Sequence, residues 1–167
     1  MIVTAQAPLE TPDASLWLDP IPPQLHPRAR AALAALDVEA FLFMADNVHG
    51  VALVWRNQGV LKVQGAYEPA LLSAWIDTRT NHHYVPRWVV DDLFRSADRE
   101  RLRAAGDPLP SVGPFTLYRG VSGRGRARRV RGISWTSSLE KAIWFAHRFA
   151  SLGDPAVFRL VVAARKT

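Results

Sequence analysis

The sequence predicts an α+β protein: a mostly helical N-terminal region with a small β-hairpin, followed by a partial mixed β-sheet with one packed helix. Helical periodicity and helix caps recur between residues 28 and 105, interrupted by one hairpin signal. From residue 115 the pattern changes to strand-like segments around a single amphipathic helix. A proline-rich stretch at residues 106–114 separates the two patterns and marks the best domain boundary.

The N-terminal region is expected to contain a proline-rich arm, short helices and the hairpin. Residues 1–27 hold six of the twelve prolines, which is typical of an extended or disordered arm. Within residues 28–110, strands at Val51 to Trp55 and Val60 to Gln64 flank Arg-Asn-Gln-Gly and predict the hairpin. Helices are predicted at Arg28 to Leu36, Val38 to Asn47 with Asp37 as a cap, Pro69 to Thr78, Arg87 to Ser96 and Asp98 to Ala105.

Two predicted strands in the C-terminal region carry an arginine and two hydroxyl side chains that could form a binding site. If Phe115 to Val121 is a strand, Arg119 lies on the face that the apolar pattern would bury, and an arginine placed there needs an anionic partner. The strand from Val130 to Thr136 places Ser134 and Thr136 on one face. A small, hydroxyl-lined floor beside an arginine suits a phosphate-bearing ligand.

One amphipathic helix and a last strand complete this region. Apolar residues from Leu139 to Ala150 repeat at i, i+3, i+4 and i+7, so one stripe is expected to pack on the sheet. Ser137 and Glu140 form Ser-Ser-Leu-Glu, which predicts a capping box at the start of the helix. The final strand is predicted at Ala156 to Ala164.

At these residues the chain resembles the arginine–serine–glutamate class of ADP-ribosyltransferases, enzymes that use NAD. Arg119 and Gly120 match that family's strand arginine followed by a small residue. Ser134-Trp135-Thr136 matches its Ser-Thr-Ser-type strand, with Trp in place of the central Thr. Ala142 and Phe145 follow Ser134 by eight and eleven residues, the offsets of the family's next helix. The resemblance covers about the last third of the chain.

The resemblance implies an NAD-binding core in residues 111–167, with NAD as co-substrate. Arg119 would hold NAD phosphate, and Gly120 would offer backbone hydrogen bonds to the nicotinamide amide. Ser134 would organise the nicotinamide ribose, and Thr136 would occupy the third position of the motif. The implied catalytic residues are Arg119, Ser134 and Thr136, and the acceptor, a protein or a nucleic acid, is left open.

The family's catalytic glutamate lies on a later strand than the serine motif. Beyond Ser111 the acidic residues are Glu140 and Asp154, and neither falls on a predicted strand. A carboxylate is what stabilises the cation-like ribosyl transition state in this chemistry. On this pattern the core is expected to be incomplete, and the chain as given is expected to be inactive unless a glutamate is supplied.

Charge is distributed unevenly within the net +6 of the chain. Residues 1–110 carry ten Lys/Arg against thirteen Asp/Glu, whereas residues 111–167 carry eleven against two. Five of these arginines lie in the basic loop 124–131, which could follow a phosphate backbone. A second class of function is therefore open: a non-catalytic binding module whose basic loop engages nucleic acid or an acidic partner.

Composition argues against several other classes. The absence of cysteine excludes disulfides and thiolate metal sites, and the adjacent His82 and His83 lack a clear third ligand, so no metal site is expected. No apolar run approaches the ~18–20 residues of a membrane span. The first residues also lack the features of a signal peptide. We therefore expect a cytoplasmic protein without a membrane partner.

Overall fold

The computed structural model describes residues 16–77, 85–123, 133–148 and 153–163. Within these residues the chain is α+β, as the sequence predicts. It divides into two compact units, Met1–Asp107 and Pro108–Thr167. The first is helical, and the second holds a two-stranded antiparallel sheet with one helix. Among the described helices, none combines the length and the apolar character that crossing a bilayer requires.

The described part of the N-terminal unit is built from seven α-helices. They are α1 (His26–Ala34), α2 (Val38–Phe43), α3 (Gly50–Arg56), α4 (Gln58–Val63), α5 (Tyr67–Asp77), α6 (Arg87–Ser96) and α7 (Arg99–Ala105), with 3-10 turns at Pro23–Leu25 and Asn47–His49. All five predicted helices are present, although α2 is shorter than predicted. Asp37 and Asp98 cap α2 and α7 by accepting hydrogen bonds from main-chain amides of the first turn.

Helix α3 occupies the centre of the apolar core. Its first five residues, from Gly50 to Val54, are all buried, and a helix that is apolar on every side belongs inside a core. Tyr67 of α5 is also fully buried, with its hydroxyl donating to the carbonyl of Leu93 at 2.9 Å. Other fully buried side chains that complete this core include Phe41, Leu53, Leu61, Leu71 and Val89.

The predicted hairpin is wrong, because its two strands are helices α3 and α4. A short apolar run such as the one in α3 does not by itself distinguish a strand from a buried helix. Asn57, in the predicted turn, instead joins the two helices. Its buried side chain accepts a hydrogen bond from the Trp17 amide at 2.8 Å and donates to the carbonyls of Trp17 and Leu53 at 2.9 and 3.0 Å.

The predicted arm is also wrong for residues 16–27. Leu18 and Ile21 are buried in the core, and the ring of His26 is hydrogen-bonded through Nε2 to the Ile21 carbonyl at 2.8 Å. Together with the contacts of Trp17 to Asn57, these interactions fix the segment on the helices. The prolines interrupt the helical pattern of apolar residues in this segment, so the sequence carries no helix signal there. They do not prevent Leu18 and Ile21 from packing in the core. Residues 1–15 lie outside the described residues.

Replacing Asn57 with Ala is expected to lower the free energy of unfolding by about 1–3 kcal/mol, because buried partners of its amide group lose their hydrogen bonds. The matched control is Gln64→Ala, which truncates an exposed amide side chain at the end of α4. Urea denaturation measures both. Equal midpoints for the two variants would contradict the anchoring role of Asn57.

The sheet of the C-terminal unit has β1 at its centre. Strand β1 (Phe115–Ser122) pairs antiparallel with β2 (Pro155–Val162) over its whole length, and Arg119 lies opposite Phe158. On its other edge, β1 makes a single bridge between Tyr118 and Thr136, with two main-chain hydrogen bonds of 2.7 and 2.9 Å. The predicted strand from Phe115 to Val121 is confirmed, and the strand predicted at Ala156 to Ala164 is confirmed up to Val162. Ala163 is not part of the strand, and residue 164 lies outside the described residues.

The predicted strand from Val130 to Thr136 is confirmed only at that bridge. Residues 130–132 lie outside the described residues, and residues 133–135 are irregular. The main chain turns away after Thr136 because Ser138 already caps the next helix. A regular strand is therefore wrong for the described part of this segment.

Helix α8 (Leu139–His147) begins one residue later than the predicted capping box implies. Ser138 is the N-cap, and its hydroxyl accepts a hydrogen bond from the Lys141 amide at 3.1 Å. The predicted cap, Ser137, is therefore wrong, and Glu140 lies one position too early to close a capping box. The buried residues of α8 are Ala142 and Ala146, whereas the other apolar positions described in the predicted stripe are exposed.

The close contact of α8 with β1 depends on Gly120. A Cβ atom at this position would overlap the carbonyl oxygen of Ala142 and would come within 2.7 Å of the Ala146 amide nitrogen. Ala142 and Ala146 are themselves small, so both elements present little more than backbone to each other. A larger side chain at residue 120 would force the helix off the strand.

Gly120→Ala is expected to destabilise the C-terminal unit by about 1–3 kcal/mol, the usual cost of overpacking. The matched control is Gly59→Ala in α4, where an added Cβ meets nothing within 4 Å and should stabilise the helix by about 0.5–1 kcal/mol. Hydrogen exchange of the α8 amides gives the local readout. Unchanged protection of α8 in Gly120→Ala would show that the helix is not held by this contact.

Candidate functional site

Arg119 lies on the sheet face opposite α8. Gly120 faces α8, and neighbouring residues of a strand point to opposite sides. Directly opposed residues of an antiparallel pair share a face, so the Phe158 side chain lies on the same side as Arg119. By the same register, the other residues of this face are all apolar: Phe115, Leu117, Val121, Ala156, Leu160 and Val162. Arg119 is the single charge of this face in the two strands.

The guanidinium of Arg119 is only partly satisfied. The side chain is half-buried, and its NH1 donates to the main-chain carbonyl of Ser134 at 2.7 Å. Its Nε is buried and finds no hydrogen-bond partner among the described residues. Burial lowers the pKa of Arg119, because desolvation disfavours the charged form, but an arginine remains charged in a protein. A charge placed in this way is stabilised by binding an anion.

Ser134 is brought to Arg119 through its main chain. The contact uses the serine carbonyl, and the serine itself is exposed. The structure therefore unites the two residues that the resemblance to ADP-ribosyltransferases pairs. The hydroxyl that the resemblance assigns to the nicotinamide ribose is not the group that meets Arg119.

Thr136 belongs to the other side of the sheet. It lies opposite Tyr118 in the bridge, so its side chain shares the face of Tyr118 and Gly120, against α8. Its Oγ1 accepts a hydrogen bond from the Ser138 amide at 3.1 Å, which stabilises the entry into α8. The sequence analysis placed Thr136 beside Ser134 on the floor next to Arg119, and this placement is wrong because Thr136 lies opposite Tyr118, on the other face of β1.

The remaining candidate residues stand apart from Arg119. Gly120 is packed against α8, and its expected backbone role toward nicotinamide stays a prediction. Glu140 lies exposed in the first turn of α8, and Asp154 lies exposed just before β2. The basic loop 124–131 and the His82–His83 pair fall outside the described residues. Within the described part of the chain, no group of three acidic or histidine side chains is placed to hold a metal ion.

Phe158 is the neighbour of Arg119 that the sequence analysis missed. Its apolar character fits any half-buried strand, and the residue opposite Arg119 depends on the register between two strands that are far apart in the sequence. No signal in either strand alone could have identified the pair. The alternation of Val157, Phe158 and Arg159 indicates which of these side chains share a face, but not which residue lies opposite Arg119.

The N-terminal unit has a separate cleft of about 1000 Å³. Its lining combines apolar side chains, such as Leu25 and Leu42, with charged side chains of both signs at the rim, including Arg28, Glu39 and Asp77. All of the lining residues belong to the N-terminal unit, so this cleft does not contain Arg119.

Comparison of the chain with protein-family models, with curated proteins and with solved structures finds no match. A functional argument for this chain therefore starts from the residues around Arg119.

Thr136→Val is expected to lower the stability of α8 by about 0.5–1.5 kcal/mol, the net contribution of one hydrogen bond, because the Ser138 amide loses its acceptor. Thr136→Ser keeps the hydroxyl and serves as the control. Hydrogen exchange at the first turn of α8 measures the difference. Since Thr136 lies on the other face of the sheet from Arg119, both variants should bind anions equally well. A loss of anion binding in Thr136→Val alone would show that Thr136 belongs to the ligand site.

Proposed function

We propose that the C-terminal unit binds NAD, or a related dinucleotide that carries ADP-ribose, with the phosphates on Arg119. The observation that carries this proposal is the partly satisfied guanidinium on an apolar sheet face. Its described hydrogen-bond partner is a neutral carbonyl, and neither strand of the sheet supplies a carboxylate. A phosphate group would supply the missing charge in the bidentate geometry that arginine favours.

The surroundings of Arg119 favour a dinucleotide over a small inorganic anion. Phe158 lies directly opposite Arg119, and Leu117 and Leu160 form the next pair on the same face. Such a surface gains little from a bare phosphate but can pack against the rings of a nucleotide. The nearby main chain of Ser134 adds polar groups at the edge of this apolar surface. The resemblance of Arg119-Gly120 and Ser134 to ADP-ribosyltransferase motifs supports the same ligand.

The chemistry proposed by resemblance is transfer of ADP-ribose to an acceptor. The bond between C1 of the nicotinamide ribose and nicotinamide breaks, and the positive charge that develops on the sugar needs a carboxylate close by. Among the described residues, the acidic groups of this unit are Glu140 on α8 and Asp154 outside the strands. We therefore propose that the described residues bind NAD. Transfer of ADP-ribose would require a carboxylate that these residues do not place at Arg119.

Arg119→Ala is expected to weaken NAD binding at least about tenfold, since a charge-assisted hydrogen bond contributes ~1.5–3 kcal/mol. The matched control is Arg159→Ala. Arg159 lies opposite Tyr118, so its side chain is on the α8 side of the sheet. The substitution removes the same charge as Arg119→Ala, but from the other face. At moderate salt its long-range effect is largely screened, and NAD affinity should change little. Titration calorimetry measures both variants.

Three outcomes would count against the proposal. Equal NAD affinity for the wild type and Arg119→Ala would remove Arg119 from the site, and an equal loss in Arg159→Ala would indicate only a general charge effect. Tighter binding of inorganic pyrophosphate than of NAD or ADP-ribose would show that the apolar surface around Phe158 adds nothing. Nicotinamide release should stay near background, because no carboxylate is assigned to the site.

A further inference from the structure

Helix α8 presents two aromatic and two cationic side chains on the surface that faces away from β1. Ala142 and Ala146 mark the side in contact with the strand. Trp144, Lys141 and Arg148 point away from that side, and Phe145 lies at its edge, ~80° around the helix from the two alanines. Glu140, also exposed, lies four residues before Trp144 and offsets part of the positive charge of this surface. The two aromatic and two cationic residues are three or four positions apart, so each aromatic residue has both cations as neighbours: Lys141, Trp144, Phe145 and Arg148. We call these four residues the aromatic face of α8.

The rings on this face are exposed and held in place by each other. Trp144 is 56 % exposed and Phe145 is 48 % exposed. Their ring centroids are 5.0 Å apart in an edge-to-face arrangement, and the Arg148 guanidinium lies 5.1 Å from the centroid of the Trp144 ring. These contacts restrict two large side chains that each keep about half of their surface exposed. Large exposed aromatic residues in a cluster mark a surface for a partner.

Charge favours a polyanion as that partner. The region that carries α8 has eleven Lys/Arg against two Asp/Glu, whereas residues 1–110 are net acidic. A polyanion is attracted to such a region at long range and releases its counterions on binding. A partner that also offers flat rings would use the whole aromatic face, cations and rings together.

We propose that the aromatic face of α8 binds single-stranded nucleic acid. Bases stack on Trp144 and Phe145, and the flanking phosphates meet Lys141 and Arg148. Base stacking tolerates any sequence, because every base has an aromatic face, and it requires bases that are not already stacked in a duplex. This activity goes beyond NAD binding and does not depend on it, since Arg119 lies on the other face of the sheet.

The test is fluorescence anisotropy of the full chain with labelled 12-mer single strands of DNA and RNA, and with the matching DNA duplex, at two salt concentrations. The single strands should bind more tightly than the duplex, and their affinity should fall with salt. Trp144→Ala and Phe145→Ala should each weaken single-strand binding about tenfold or more, in line with the loss of one stacked base. Lys141→Gln and Arg148→Gln should reduce the salt dependence.

Two control variants separate this proposal from general effects. Trp88→Ala removes a tryptophan that is 61 % exposed, on α6 of the acidic N-terminal unit, and should leave single-strand binding unchanged. Arg119→Ala should lose NAD binding but keep single-strand binding within about twofold, as expected for removing one distant charge at moderate salt. Each site can therefore fail without the other. Circular dichroism verifies that the Trp144 and Phe145 variants keep the helical content of the wild type.

Three results would overturn the proposal. The first is absence of binding to either single strand at low salt. The second is equal or tighter binding to the duplex, or affinity that does not change in Trp144→Ala and Phe145→Ala. The third is a preference for vesicles of phosphatidylcholine and phosphatidylglycerol, lost in the same two variants, which would make the aromatic face a contact for an anionic lipid surface.

Discussion

The arrangement of the C-terminal unit depends on one close contact, between the backbone of α8 and Gly120 of β1. Because α8 packs on this glycine, the side chains on the same face of β1 face the helix. The side chains of the neighbouring residues point to the opposite face of the sheet. Arg119 is the residue next to the contact. Its position on the apolar face opposite α8 is therefore a consequence of where the small residues of β1 and α8 lie.

The elements of the fold could be predicted from the sequence where the local signal was unambiguous. The cap at Asp37 located the start of α2, and the predicted bounds of α6 and α7 agree with the structure to within one residue. The segment of α3 was wrongly predicted as a strand, because a short run of buried apolar residues fits a strand or a central helix equally well. Asn57 contributed to the error. An asparagine two residues before a glycine, here Gly59, is found at the end of a helix as well as in the turn of a hairpin.

The candidate site could be predicted only in part, for a related reason. The alternation of β1 was enough to place Arg119 among apolar residues. The positions of Ser134 and Thr136 required knowing how this segment aligns with β1, and the bridge between Tyr118 and Thr136 decides this. Leu139 and Ile143 of α8 were expected to pack on the sheet because their spacing fits a packing stripe, but both are exposed. A glycine on the strand brings the helix so close that only alanines fit beneath it.

The pairing of Arg119 with Phe158 also limits how the two strands can align. A shift of β2 by one residue would move Arg159 opposite Arg119 and turn every side chain of β2 to the other face. Two guanidinium groups would then meet across the ladder on an apolar surface, where like charges repel most strongly. The arginine proposed to hold a phosphate thus also helps to reject the neighbouring alignment of the sheet, even when no ligand is bound.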